Sequence, residues 1–441
     1  MRTPIADFLQ RYADESMTRF HMPGHKGVPF LGCERLDLTE VNGADSLYEA
    51  DGIIAESEAN TTDLFGTQRT LYSTEGSSQC IRAMLYLALT HRKAGTPPTI
   101  VAARNVHKAF VYAAALLDFE VVWLWPEEQK SLCACPVSAK QLERVLEDLE
   151  APPAAVYLTS PDYLGGMAEI PALAEVAHRH GTLLMVDNAH GAYLRFLQPS
   201  RHPLDQGADL CCDSAHKTLP VLTGGAYLHI GRQLPKAYAD DAKAALALFG
   251  STSPSYLTMA SLDLCNRYLE NENRLTACAA KLEQLRSRLR EAGWTVEQSD
   301  PLRITLRAPE GLTGIALADR LREQRIECEY ADDAYLVLMV TPENPDEDLE
   351  KLAEALGENA MPASGGNRLP PLRSEQMCSI RQALFAPHEA VSPEAALGRI
   401  CGAPTVSCPP AIPIAVSGER ISPEMVEWFR HYGVDEIDVL K

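Results

Sequence analysis

The feature that most constrains this chain is a rhythm that begins near Pro98, where short β-rich runs alternate with helical patterns. TIVAAR is followed by HKAFVYAAALLDF, then EVVWLW, then a charged amphipathic stretch from Ser138 to Glu150. Strands separated by helices are built to pair in parallel, so the expected architecture is α/β with a mostly parallel central sheet. AAVYLTS and TLLMVDN read as two more strands, each ending in polar residues. Ligands of open α/β sheets sit at the carboxyl ends of strands, which draws attention to Ser160–Asp162 and to Asp187–His190.

Local signals divide the rest. Ser138 with Gln141 fits a capping box, and Gly181 is placed to close a helix running from Pro171 to His180. Ile81, Met84, Leu85, Ala88 and Leu89 follow helical spacing behind the small polar loop Ser73-Thr74-Glu75-Gly76-Ser77-Ser78. Backbone N–H groups at such a helix start suit a phosphate, although Ser77 and Ser78 equally suit an N-cap pair with no ligand. After Pro254 a long helical pattern runs to about Ala292, placed to bridge two domains, and a smaller β/α unit extends from Trp294 to about Glu358. MPASGGNRLPP, residues 361–371, reads as a linker before a third unit with few helical signals.

Length and composition exclude several classes. At about 150 residues per domain, 441 residues imply two or three units. A 46% hydrophobic and 23% charged composition is that of a globular chain. Forty Lys and Arg against 60 Asp and Glu leave 40 − 60 = −20, a field that repels polyphosphates, so no nucleic-acid partner is expected. No apolar run approaches membrane-spanning length, and charges interrupt MRTPIADFLQRYADES, so a cytoplasmic protein without membrane contact is expected. Twelve scattered cysteines, including the adjacent Cys211 and Cys212, are expected to be mostly reduced and buried.

Four features could carry chemistry. Lys217, after the buried-looking run ADLCC, is placed to form a Schiff base, whereas a lone lysine there is more commonly solvated. Asp187 ends an apolar strand about thirty residues earlier, where an aldehyde cofactor such as pyridoxal phosphate needs a carboxylate against its ring nitrogen; a strand-end Asp also caps turns. The Gly76-Ser77-Ser78 loop is the third, and His107, able to stack on a heteroaromatic ring or merely to start a helix, is the fourth. No metal site is expected: Pro23 and Gly24 break the helix that His21 and His25 would need, and Cys133, Cys135, Cys401 and Cys408 lack zinc spacing.

Five blocks in order give the combination an identity as a class: Phe20-His21-Met22-Pro23-Gly24-His25-Lys26-Gly27, Arg104-Asn105-Val106-His107-Lys108, Val186-Asp187-Asn188-Ala189-His190-Gly191-Ala192, Ser214-Ala215-His216-Lys217-Thr218-Leu219-Pro220 and Ser251-Thr252-Ser253-Pro254-Ser255-Tyr256. With Pro409-Pro410-Ala411-Ile412-Pro413 and Gly418-Glu419-Arg420-Ile421, the chain resembles the Orn/Lys/Arg decarboxylases, fold type I pyridoxal-phosphate enzymes, in the shorter form without an N-terminal wing domain.

The resemblance implies pyridoxal 5′-phosphate as cofactor, joined to Lys217 as a Schiff base, with Asp187 on the ring nitrogen and His107 stacked on the ring. It places Gly76, Ser77, Ser78, Ser214, His190 and His216 around the phosphate and reactive face, and leaves His216 and Lys217 as alternative acids for reprotonation. Thr252 and Ser253 would reach a neighbouring subunit's phosphate, implying a homodimer or higher oligomer with composite sites. The implied division is an N-terminal segment 1–40, a large cofactor-binding domain 41–255, a linker helix with small α/β domain 256–360, and a C-terminal domain 361–441.

Departures cluster near the pocket: Asn188 stands where relatives usually carry Glu, Tyr193 where they carry His, Glu75 for Asn and Asp162 for Thr. Glu75 and Asp162 become candidates to pair with a cationic substrate head. The expected reaction is decarboxylation of arginine, lysine or ornithine to a polyamine or its precursor. An aminotransferase, a lyase, or a silent regulatory paralogue remains an alternative.

Overall fold

Leu210-Cys211-Cys212-Asp213 is buried at every position, the mark of a strand covered on both faces. The computed structural model describes residues 1–271, 273–357, 369–405 and 410–441, and makes this run one of seven strands of a mostly parallel, helix-flanked sheet. They are β1 (Arg69–Ser73), β2 (Thr99–Ala103), β3 (Glu120–Leu124), β4 (Ala155–Thr159), β5 (Leu183–Asp187), β6 (Leu210–Asp213) and β7 (Ala226–Ile230). The four strands read in the sequence between Thr99 and Asn188 are all present. The chain divides into two compact units, one comprising Met1–Thr96, Ala154–Val156 and Ile170–Asn273, the other Pro97–Pro153, Tyr157–Glu169 and Arg274–Lys441.

In the first unit β5 runs parallel to β6 with Asp187 opposite Cys212, while β7 is antiparallel to both β6 and β1. The twelve residues between β6 and β7 hold one helix of only four residues, Ala215–Thr218, and no full-length crossover helix of the kind that returns a chain for parallel pairing. Ile81, Met84, Leu85 and Ala88 of the helix Ser77–Thr90 are buried, on an element that packs against β5, β6 and β7. Its N-cap is Gly76, at φ 73°, with no side-chain cap; Ser77 and Ser78 are the first helical residues, so the N-cap-pair alternative is not what forms. The helix Ile170–Arg179 closes as expected at Gly181 (φ 70°): the N–H of Thr182 donates to the carbonyl of Ala177 at 3.1 Å.

The long helix expected after Pro254 is instead two, Tyr256–Leu269 and Asn273–Glu291. Asn271 lies at the break, and an Asn side chain competes for backbone hydrogen bonds that a helix interior needs.

In the second unit β2 and β3 are parallel, with Thr99 opposite Glu120. Ser138 caps the helix Ala139–Glu147 by accepting the N–H of Gln141 at 3.2 Å. The reciprocal half of the expected box is missing, because the Gln141 side chain donates to the carbonyl of Trp125 instead. The small β/α unit is an antiparallel sheet in which β10 (Tyr335–Met339) lies between β8 (Arg303–Arg307) and β9 (Tyr330–Ala331). Beyond it, β11 (His388–Val391) pairs with β12 (Ile437–Leu440) over a core that includes Trp428, Phe429, Ile414 and Cys133. Three helices accompany this last pair, two of them only five and four residues long, which explains why helical periodicity was faint there.

Residues 361–368 of the expected linker, Cys408 and Pro409 lie outside the described residues. Among the described residues the eleven cysteines are free and seven are buried, and no helix is long and apolar enough to cross a membrane.

Candidate active site

Two neighbouring strand ends build the centre of the first unit. Four apolar residues of β5 deliver Asp187 to its carboxyl end, where the side chain is only 2% exposed. One carboxylate oxygen, Oδ1, accepts the N–H of Ala189 at 3.2 Å and the thiol of Cys212 at 3.6 Å. At the end of β6, Ser214 starts the short helix that carries His216 and Lys217. Lys217 is half-buried and its Nζ lies 3.0 Å from Nε2 of His190. The solvated loop lysine that its sequence context also allowed is therefore not the arrangement found.

The Gly76-Ser77-Ser78 loop meets the lysine segment directly, since the Ser214 hydroxyl donates to Ser77 Oγ at 2.9 Å. The N–H of Gln79 donates to the carbonyl of Gly76 at 3.3 Å, those of Ser77 and Ser78 precede the first i→i−4 acceptor and no side chain caps the helix, and a Cβ at Gly76 would meet no atom within 4 Å. Open space beside an uncapped helix N-terminus lined by Ser77 and Ser78 is what an anion requires. His216 Nδ1 lies 3.0 Å from the carbonyl of Gly225, and burial pushes its pKa down, so the ring is neutral with its hydrogen on Nδ1.

Thr252 and Ser253 are exposed, and the Ser253 N–H donates to Ser251 Oγ at 3.1 Å. Glu75, one of the departures, accepts the N–H of Ser251, so its carboxylate joins the loop before the helix Ser77–Thr90 to this segment.

The second unit holds the remaining candidates. His107 is the N-cap of the helix Lys108–Leu117, its Nδ1 accepting the N–H of Ala109 at 3.1 Å, so it has the helix-start role that its position also allowed. Asp162 is buried, and its Oδ1 accepts the N–H groups of Leu164 (2.9 Å) and Gly166 (2.8 Å). Burial raises its pKa to about 7 against those hydrogen bonds. It shapes its own turn, a stronger account of it than pairing with a substrate cation. Arg104, from the second family block, is structural: it donates to the carbonyls of Pro413 and Ile414 and pairs with buried Glu419 at 3.2 Å.

Sequence reasoning missed two things. One is the His190–Lys217 pairing, since 27 residues separate them. The other is a fully buried group of His202, Cys211 and Asp213, whose donor atoms lie within 4.8 Å of one another. An Asp after ADLCC was a signal in plain view, but nothing local in the sequence joins it to His202. The histidines first considered for metal are separate, His21 bonding Tyr12 and His25 bonding Asp37.

An amine, a buried carboxylate and an open, uncapped helix start with serine hydroxyls are thus present in one unit, the donor set that a phosphorylated pyridine aldehyde requires. The donor set fits the cofactor that the sequence resemblance implies.

Comparison with known proteins agrees with this chemistry. The family model described as Orn/Lys/Arg decarboxylase, major domain, matches residues 3–310. The uncharacterized protein YaaO of Bacillus subtilis is 30% identical over 97% of this chain and 93% of its own length. An arginine decarboxylase of Bacillus subtilis is 29% identical over 97% of this chain and 92% of its own. In fold, the lysine decarboxylase LdcF of Francisella novicida superposes with a TM-score of 0.83 at 16% identity, covering 100% of this chain and 81% of that one.

Proposed function

Because this chain belongs to the Orn/Lys/Arg decarboxylase family, we propose that it is a pyridoxal-phosphate-dependent decarboxylase that converts a basic amino acid to its amine and carbon dioxide. The observation that carries the reading is the pairing of β5 with β6: Asp187 stands in register with Cys212, and the next turn of chain presents Lys217 beside His190. Relatives named arginine decarboxylase make arginine the first substrate to test, with lysine and ornithine beside it.

When bound, pyridoxal phosphate supplies an electron sink for the pair left behind by departing carbon dioxide. Asp187 holds a proton on the ring nitrogen, because a buried carboxylate stabilises positive charge there. Ser77, Ser78 and Ser214, with the helix N-terminus and Gly76, bind the phosphate. Lys217 is the covalent anchor, and His190 Nε2 orients its amine. Reprotonation of the α-carbon falls to Lys217 and not to His216, since the neutral His216 ring keeps its hydrogen on Nδ1, facing a carbonyl.

We also infer a homodimer in which Thr252 and Ser253 complete the neighbouring subunit's site. Exposed Phe20 (95%), Phe30 (79%) and Leu31 (91%) support it, as apolar side chains of this size call for a cover. A cytoplasmic setting is supported by the buried, free cysteines.

The test is a panel of arginine, lysine and ornithine with protein reconstituted with pyridoxal phosphate, measuring carbon dioxide and amine. Release of both from one of them is expected. No product from any of the three, with the visible band of bound cofactor present, would overturn the decarboxylase reading in favour of another lyase or a silent paralogue.

A further inference from the structure

The carboxylate of Asp213 has no part in the chemistry above, yet it is fully buried and surrounded by donors. Its Oδ2 lies 3.2 Å from His202 Nε2 and 3.1 Å from His229 Nε2. Its Oδ1 accepts the side-chain amide of Asn188 at 2.7 Å, with the Cys211 thiol at 3.7 Å. The N–H of Leu204 donates to Nδ1 of His202, which leaves the ring hydrogen on Nε2, aimed at the carboxylate. Burial works against a second proton on His229. Four donors thus meet the four lone-pair sites of one carboxylate, so hydrogen bonding alone accounts for the cluster and no metal ion is needed.

The position of this buried charge explains its use. Asp213 is the last residue of β6, four before Lys217, and Asn188 directly follows Asp187. The N–H of Asn188 donates to the carbonyl of Cys212 at 3.0 Å, and the Cys212 thiol reaches Asp187. The Asn188–Asp213 bond therefore ties the strand end bearing Asp187 to the strand end that launches the Lys217 helix.

We propose that Asp213 is a positioning residue whose carboxylate, acting through Asn188, sets Asp187 and Lys217 relative to each other and adds a fixed negative charge to the cofactor site. This rests on the assignment of Asp187 and Lys217 to the cofactor. Removing the charge makes a protonated, cationic chromophore less favourable, so its proton leaves at lower pH.

The experiment uses the reconstituted enzyme and two readouts besides turnover: the pH at which the visible band of bound cofactor titrates, and the Kd of pyridoxal phosphate. Asp213→Asn is expected to move the titration midpoint down by roughly half a pH unit or more and to weaken cofactor binding about tenfold, as loss of a charged hydrogen bond does. The swap Asn188→Asp with Asp213→Asn restores one amide facing one carboxylate and is expected to return both readouts toward wild type. Folded Asp213→Asn protein with the wild-type midpoint and Kd, or a swap no closer to wild type than the single variant, overturns the proposal. If Asp213→Asn does not fold, Asn188→Ala decides: weaker cofactor binding with a near-constant midpoint supports the proposal, and wild-type binding overturns it. Wild-type protein that shows no visible band at all would count against the cofactor assignment itself, a separate failure.

Discussion

The ε-amino nitrogen of Lys217 lies 3.0 Å from Nε2 of His190, although the two residues leave different strands of the sheet. The contact brings the chain after β5 to the helix after β6, and it gives a half-buried lysine an imidazole partner three residues beyond the buried carboxylate of Asp187. An amine held in this way is placed by tertiary structure and not by its own flexible stem.

Lys217→Ala is expected to abolish the visible band of bound cofactor and to lower turnover by at least about 1,000-fold, because no other amine takes the anchor's place. Far-UV circular dichroism should be unchanged, since a half-buried side chain on a four-residue helix contributes little packing. Borohydride reduction followed by peptide mapping should label wild-type Lys217; label on another lysine would refute the assignment.

Composite sites predict complementation. A hybrid of one Lys217→Ala subunit and one Ser253→Ala subunit has one wild-type site if Ser253 serves its neighbour, and none if it serves its own subunit. Mixing the two variants under exchange conditions should raise turnover above that of Ser253→Ala alone, and a verified hybrid with no such gain would place Ser253 in its own subunit's site.

Arg104→Ala should destabilise the protein by about 3–5 kcal/mol, the cost of leaving one member of a buried ion pair alone. Glu419 would lose its partner, and the carbonyls of Pro413 and Ile414 would lose their donors. Denaturant unfolding of the apo-protein measures this apart from catalysis.

Asp162 carries a pH signature. Its pKa is raised to about 7 in the folded state by burial, against 3.8 for an unperturbed Asp. The folded state therefore binds more protons than the unfolded state between these values, and this group's contribution to stability falls as pH rises from about 4 to about 7. Asp162→Asn keeps an Oδ1 acceptor for Leu164 and Gly166 but cannot ionise. A plot of Tm against pH should be flatter for the variant across that window; identical curves would show that Asp162 does not titrate as stated.

Much of the site was legible because its signals are local. Asp187 ends an apolar strand, Lys217 follows another, and Gly76-Ser77-Ser78 precedes an amphipathic helix. Less legible were partners that come from distant stretches of chain. Asp162 reads as a polar strand-end residue whether it faces a substrate or two amides of its own turn, and only coordinates distinguish these. Ser77 and Ser78 match an N-cap pair by composition, but the cap is set by backbone angles, and Gly76 takes that position.

Alternation of strand and helix, five family blocks and the order of Asp187 and Lys217 along the chain determined the fold class and the chemistry, because hydrophobic period and strand-end polarity are properties of neighbouring residues. The His190–Lys217 contact and the four donors around Asp213 were decided only by the tertiary structure. Each of these depends on groups that the folded backbone brings together, and a buried carboxylate is stable only when donors from several strands and loops converge on it.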